Sequence, residues 1–268
     1  AGNRALSHIA LSVTAASGAS CRQRLHEAGA LRLRFPNVAS GGTLEAVIIN
    51  TAGGIVGGDC FELNISIGTG ARLNVTTAAA EKVYRSLAPD AEISVALAVG
   101  PGGTLAWLPQ ETIFFDQARL RRTIEVELAR DCNLILVEAV VFGRSAMGER
   151  VLGGSFFDRW RVRIDGALVF AESVSLRGAI AQQLAQRAIA GEGVGIASVL
   201  KIPGGESHVA AVRAIERKFA GEVGASAWNG LAVARLVAPD GAILRRDLIG
   251  VLTAWSGMPL PRLWLNQG

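Results

Sequence analysis

The sequence predicts a mainly β protein: a β-helical or layered β-sheet body, with two or three helices toward the C-terminus. Three observations carry this. Apolar and polar residues alternate through several consecutive stretches, the period-2 mark of half-buried strands. The stretches recur as a loose strand–turn–strand unit, with Leu73, Leu105 and Leu134 spaced by 32 and 29 positions. A unit of that length cannot bury its own face, so it must stack on its neighbours. After about residue 178 the period lengthens to that of helices.

Taken in order, residues 1–30 are Ala- and Ser-rich with weak periodicity and read as a weakly ordered N-terminal segment. Residues 31–268 read as a single domain, with a β-rich body over 31–178 and an α+β part over 179–268. A strand is expected through Leu31 to Phe35. Alternating strands follow: Phe61, Leu63, Ile65, Ile67; Ile93, Val95, Leu97, Val99; Ile124, Val126, Leu128; and Trp160, Val162, Ile164. Each of the first three meets a turn signal and a second strand, reached at Leu73, Leu105 and Leu134. Ordinary consecutive hairpins share the period-2 signal and remain the alternative. A helix is expected over Ala179 to Ala190. Another carries Val209, Val212, Ile215 and Phe219, with Ser207 as N-cap and Gly221 as stop. Ala227 to Val237 reads as a strand or two. The last helix carries Leu244, Leu248, Val251, Leu252 and Trp255, starting after Asp240 and ending at Gly257 and Pro259.

The 268 residues suffice for a sizeable core. Half are hydrophobic and 19% charged, which excludes a disordered or coiled-coil protein. Cys21, Cys60 and Cys132 are odd in number and far apart, so neither a disulfide scaffold nor a CxxC site exists. Cys60 and Cys132 read as buried small hydrophobes. His8, His26 and His208 are equally scattered, and no local spacing holds a metal. The expected compartment is the cytoplasm. The net charge of +4 comes almost wholly from Arg, since Lys82, Lys201 and Lys218 are the only lysines. Its densest cluster, Arg119, Arg121 and Arg122, lies in an alternating segment and reads as a solvated sheet face, not a nucleic-acid stripe. No apolar run is long enough to span a bilayer.

Four strings stand out. Asn50 to Asp59 holds four glycines but lacks the Gly-Lys-Ser/Thr ending and following helix of a phosphate loop. It reads as a tight strand connection, or as a place where another backbone comes close. Thr76 to Ser86 is dense in hydrogen-bonding groups; Glu81, Lys82 and Arg85 form either a surface ion-pair set or an anchoring loop. Leu108 to Asp116 puts Glu111 and Asp116 beside Phe114 and Phe115. Paired carboxylates serve glycosidases, some of which use β-helical folds, and also serve as structure. Glu138 lies inside an apolar run. It is expected to be buried and to need a partner such as Arg144, or to have a raised pKa.

Five strings, NTAGGIVGGD (50–59), TTAAAEKVYRS (76–86), LPQETIFFD (108–116), GRSAMGER (143–150) and AWNGLAVARL…LPRLW (227–264), resemble in order those of the UreD urease accessory proteins, called UreH in some bacteria. The resemblance covers the chain from about Leu31 to Trp264. It implies a β-helical body with two helices and a scaffold, not an enzyme. The scaffold would act with UreF and the GTPase UreG on apo-urease, helping to insert two nickel ions and the carbamylated lysine. It also implies an internal tunnel for nickel in transit, with no tightly bound cofactor and no nucleic-acid or membrane partner. The matching strings supply Asp59, Glu81, Glu138 and Glu149 as polar groups of that route, with Thr76, Thr77, Tyr84 and Arg85. Nickel(II) accepts carboxylates, and separated ligands suit transit better than storage. Trp228, Trp255 and Trp264 become candidates for the UreF-facing surface, with core packing as the alternative.

Two departures are visible. A His that some family members carry before the Gly-rich segment has no counterpart in Gly41 to Asn50. Cys60 stands where the family often has a basic residue and becomes a minor metal candidate. Against the maturation reading stand a hydrolase using Glu111 and Asp116, and a purely structural β protein. The mean hydropathy of +0.34 fits an apolar interface and poor solubility of the chain alone.

Overall fold

The structure is a computed structural model that describes residues 4–36, 41–144, 147–257 and 259–265. Two sheets face each other. The front sheet runs, edge to edge, β14 (Ala167–Arg177), β13 (Ser155–Ile164), β11 (Arg119–Leu128), β8 (Ala91–Val99), β5 (Cys60–Ile67), β1 (Leu6–Ala16) and β2 (Ala19–Ala28). The back sheet runs β16 (Glu222–Trp228), β17 (Leu231–Ala238), β15 (Gly195–Ile202), β12 (Asn133–Phe142), β9 (Thr104–Leu108), β6 (Arg72–Thr77), β4 (Leu44–Asn50) and β3 (Leu31–Arg34). Short strands β7 (Glu81–Val83) and β10 (Thr112–Phe114) join it beside β12.

The middle of each sheet is parallel and the edges are antiparallel: hairpins at both edges of the front sheet and at β3–β4, and the block β12–β15–β17–β16 on the other side of the back sheet. The chain passes from front to back as β5–β6, β8–β9 and β11–β12, so each repeat of the sequence is one coil of a solenoid. Leu73 pairs with Leu105, and Leu105 with Leu134: the three repeat leucines are neighbours in register. The hairpin alternative is thereby corrected for the body.

The expectation of a weakly ordered segment at 1–30 is corrected for residues 6–28, which form β1 and β2. Ile9, Leu11 and Val13 point into the core, but their alternates His8, Ala10 and Ser12 are small or only weakly polar. That mutes the hydropathy contrast on which the period-2 signal depends.

Buried side chains of both sheets fill the space between them. A second core lies behind the back sheet, where helix α3 (Gly241–Trp255) lays down Leu244, Leu248, Val251, Leu252 and Trp255. That spacing makes one apolar helical face, and the Asp240 side chain accepts the Ile243 N–H at 2.8 Å as the expected cap. Strand β12 is therefore covered on both faces. Leu134, Leu136, Val140 and Phe142 face the front sheet; Ile135, Val137, Ala139 and Val141 face the helix side. A strand buried on both faces reads as a continuous apolar run, and Glu138 is in phase with the inter-sheet set.

Elsewhere the helices are shorter than expected. Helix α1 spans only Ile180–Leu184. Helix α2 is Glu206–Ala214, begun at Gly205 rather than Ser207; a 3-10 turn over Glu216–Lys218 replaces its last part. The chain turns there because Ala220 and Gly221 donate their N–H groups to the buried Asp247 carboxylate. Strands β16 and β17 are joined by Asn229 and Gly230, both at positive φ, the pair a tight hairpin turn demands. A short helix α4 (Arg262–Leu265) closes the described chain.

Candidate functional site

The polar residues that matter stand in the apolar phase of their strands. On β11, Arg122 follows Leu120 and precedes Ile124; on β13, Asp158 lies between Phe156 and Trp160; on β12, Glu138 lies between Leu136 and Val140. All three side chains therefore point between the sheets, and each residue is at most 7% exposed. Parallel pairing sets Arg122 directly beside Asp158. The guanidinium donates from Nη2 and Nε to Asp158 at 2.6 and 3.2 Å, and from Nη1 to Glu138. Trp107 Nε1 donates to the other Glu138 oxygen at 3.0 Å. Thr112 Oγ1 lies 3.4 Å from Arg122 Nη1.

One cation thus faces two carboxylates in a buried interior. Burial first, and Asp158 after Arg122's opposing pull, push the Glu138 carboxyl up, and the balance stands at about 7. For Arg122, burial works against the charge, but Asp158 and Glu138 outweigh it and the guanidinium stays charged.

A cavity adjoins this cluster on each side, and Arg122 and Glu138 line both. One, of about 70 Å³, is otherwise lined by strands before β11 and the β9–β10 link, including Thr77, Glu81, Trp107 and Gln110. The other, of about 200 Å³, is otherwise lined by Val140 of β12 and by elements from β13 onward, including Asp158, Glu172, Ser198 and Arg235. Each has room for water. At the far rim Glu172 accepts from Ser198 Oγ at 2.8 Å and from Arg235 at 2.9 Å. At the near end Glu81 accepts from Asn50 Nδ2 at 3.1 Å; burial raises its pKa while Asn50 lowers it.

Of the residues singled out from sequence, Glu81, Glu138 and Thr77 line this interior. Thr76 points to the opposite face of β6 and is fully buried. Its hydroxyl has no partner among the described residues. Asp59 is buried, but its carboxylate accepts the N–H groups of Ala5 and Val56 at 2.8 and 2.9 Å and ties the chain start to the Gly-rich loop. Glu149 pairs with Arg144 at 2.7 Å near the surface. Arg144 is therefore not the partner of Glu138. Tyr84 donates to the Gly53 carbonyl at 3.1 Å and stacks edge-on against Phe115 at 5.0 Å. Arg85 is exposed. The Gly-rich string is a close approach: a Cβ on Gly54 would lie 2.2 Å from the Tyr84 ring. The string GRSAMGER falls partly on Ser145 and Ala146, outside the described residues.

Two further corrections concern surfaces. Trp255 and Trp264 are buried and serve as core, their indole N–H groups donating to the carbonyls of His208 and Leu108, each at 2.9 Å. Only Trp228 among the three is exposed, at 41%. The arginine cluster at 119–122 divides: Arg119 pairs with Asp90 at 2.7 Å and Arg121 lies over the Phe157 ring, but Arg122 is interior. Cys132 is buried as expected, whereas Cys60 is half-buried.

The hydrolase pair is engaged elsewhere. Glu111 is held by Arg245 of α3 at 3.1 Å, and Asp116 accepts the Leu152 and Gly153 N–H groups at 2.7 and 3.1 Å. Among the described residues no three His, Cys, Asp or Glu side chains group to hold a metal. No helix there is long and apolar enough to cross a membrane.

Asp158, Arg122, Glu172 and Ser198 were missed from sequence. The available signal was phase: each is a polar residue at an inward position of an alternating strand.

Fold and interior together define a class: a two-sheet β-solenoid with a buried charge cluster inside the coil. The family model described as UreD urease accessory protein matches residues 5–265. Proteins named urease accessory protein UreD from two strains of Rhodopseudomonas palustris are 52% and 53% identical over 266 residues, covering 99% of this chain and 92% and 95% of their own. One from Bradyrhizobium diazoefficiens is 52% identical over 264 residues, 98% of this chain and 95% of its own. The chain belongs to the UreD urease accessory protein family.

Proposed function

We propose that this chain is a non-enzymatic scaffold of urease maturation. It works in the cytoplasm with UreF and UreG on apo-urease, and its interior is a passage for nickel. One observation carries the passage: a charge cluster with one cation and two carboxylates, flanked by a cavity on either side. Glu81, Glu138 with Asp158, and Glu172 then form successive weak stations between the two ends. Each is already satisfied by a protein partner, so none holds an ion firmly, as transit requires. The hard oxygen ligands suit a divalent cation that keeps part of its water.

The test is co-expression of urease subunits and accessory proteins with this chain, without it, or with Glu138→Gln. Purified urease is assayed for activity and bound nickel. Assembled but nickel-poor urease is expected without the chain and with Glu138→Gln. Full nickel content without the chain would overturn the maturation reading; full content with Glu138→Gln would overturn the passage alone.

A further inference from the structure

We propose that Arg122 is the internal gate of this passage: a tethered cation standing where the travelling ion must pass, which also prevents the carboxylates from retaining it. The inference rests on the passage proposed above and assigns its control to one side chain.

The geometry points to Arg122 in three ways. First, it lines both cavities, with Glu138 as the other shared wall. An ion moving from the Glu81 side to the Glu172 side meets the guanidinium between them. Second, its bonding is lopsided. Two nitrogens hold Asp158, but a single nitrogen holds Glu138. The bidentate side is the anchor, as guanidinium–carboxylate forks are. The single contact is the one that opens. Third, the opened state keeps a partner for each group. Nη1 already donates to Thr112 Oγ1 at 3.4 Å, and that bond remains when the Glu138 contact opens. Trp107 continues to hold the other Glu138 oxygen.

Charge sets what can pass. With Glu138 ionised, two carboxylates against one guanidinium leave one negative charge in a low-dielectric space, which attracts cations from either cavity. An ion must also displace one guanidinium contact, and a divalent ion is better able to do so than a monovalent one. After it leaves, the arm still bound to Asp158 returns. Without the guanidinium, two buried carboxylates would face each other unpaired, a site that grips a divalent ion instead of passing it.

Arg122→Gln tests this directly, measured in the full chain co-purified with its accessory partners. The protein is dialysed against nickel chloride, then against metal-free buffer, and residual nickel is determined by mass spectrometry. Arg122→Gln is expected to retain nickel at least tenfold more tightly than the parent, with correspondingly less nickel reaching urease. Adding Glu138→Gln to Arg122→Gln is expected to abolish the extra retention. If Arg122→Gln does not fold, Arg122→Lys serves: its ammonium cannot fork to both carboxylates, and retention at least threefold above the parent is expected. Folded protein that retains no more nickel than the parent, in whichever variant is obtained, overturns the gate. Failure of the passage shows separately, as normal urease loading with Glu138→Gln alone.

Discussion

Two ion clusters lie on opposite sides of the back sheet, and they are built differently. On the helix side Arg245 meets one carboxylate, Glu111, together with the carbonyl of Leu263 at 2.8 Å and the Trp264 ring at 5.1 Å. Charges balance there, and every contact fastens the C-terminal segment to the sheet. On the inner side Arg122 meets two carboxylates, with a cavity on each flank. With Glu138 ionised the charges do not balance, and the surplus is negative. A balanced cluster in packed surroundings is a fastening. An unbalanced one beside open space is a station for a cation. Burial alone does not separate the two.

The comparison can be broken or sharpened in four ways. The largest effect is expected from Trp264→Ala, which empties a fully buried site in the fastening. It should lower unfolding stability by about 3–5 kcal/mol in urea titration. Next comes a crossed pair. Glu111→Gln should destabilise by about 1–3 kcal/mol, through loss of a charged hydrogen bond, yet leave urease nickel content unchanged. Glu138→Gln should leave stability within about 1 kcal/mol, since an awkward buried charge is removed along with its bond, and nickel content should fall. The same phenotype from both variants would dissolve the distinction.

A third effect is read against pH. The Glu138 carboxyl sits at about 7 in the fold against an ordinary 4.5. The folded state therefore binds this proton more tightly than the unfolded state does. The group's contribution favours folding at low pH and erodes as pH rises from about 4.5 to about 7. Denaturation midpoints should show that decline, and Glu138→Gln should flatten it. The smallest effect is expected at a site belonging to neither cluster. Asp240→Ala removes the cap of α3 and should cost about 1 kcal/mol, with nickel content untouched.

Much of the architecture was legible in the sequence because each strand declares its faces. Leu73, Leu105 and Leu134 announced the coil, and the structure stacks them in one row. Glu138 was legible because a carboxylate in an apolar run must be buried. Its partner was not, because Arg122 lies 16 positions away on the opposite sheet, and only the stacking of coils brings them together. Reading Arg122 with Arg119 and Arg121 as one solvated face overlooked that strand neighbours point opposite ways. Trp255 and Trp264 misled for a related reason: an indole serves a core or an interface equally well, and only the packing of α3 and α4 decides.

The two-sided burial of β12 has a consequence for how the chain finds its frame. A strand with one wet face reports a one-residue slip at once, because its apolar set turns to water. Strand β12 has no wet face, and its neighbours Val137 and Ala139 would fill the inner positions as readily as Leu136 and Val140. Hydropathy is therefore blind to its reading frame. Glu138 is not. Slipped by one, its carboxylate would turn into the apolar core behind the back sheet, away from Arg122, a buried charge parted from its partner. The residue proposed to conduct the ion is thus also the notch that keys the strand, so the same carboxylate that gives the interior its polarity keeps the two cores from being exchanged.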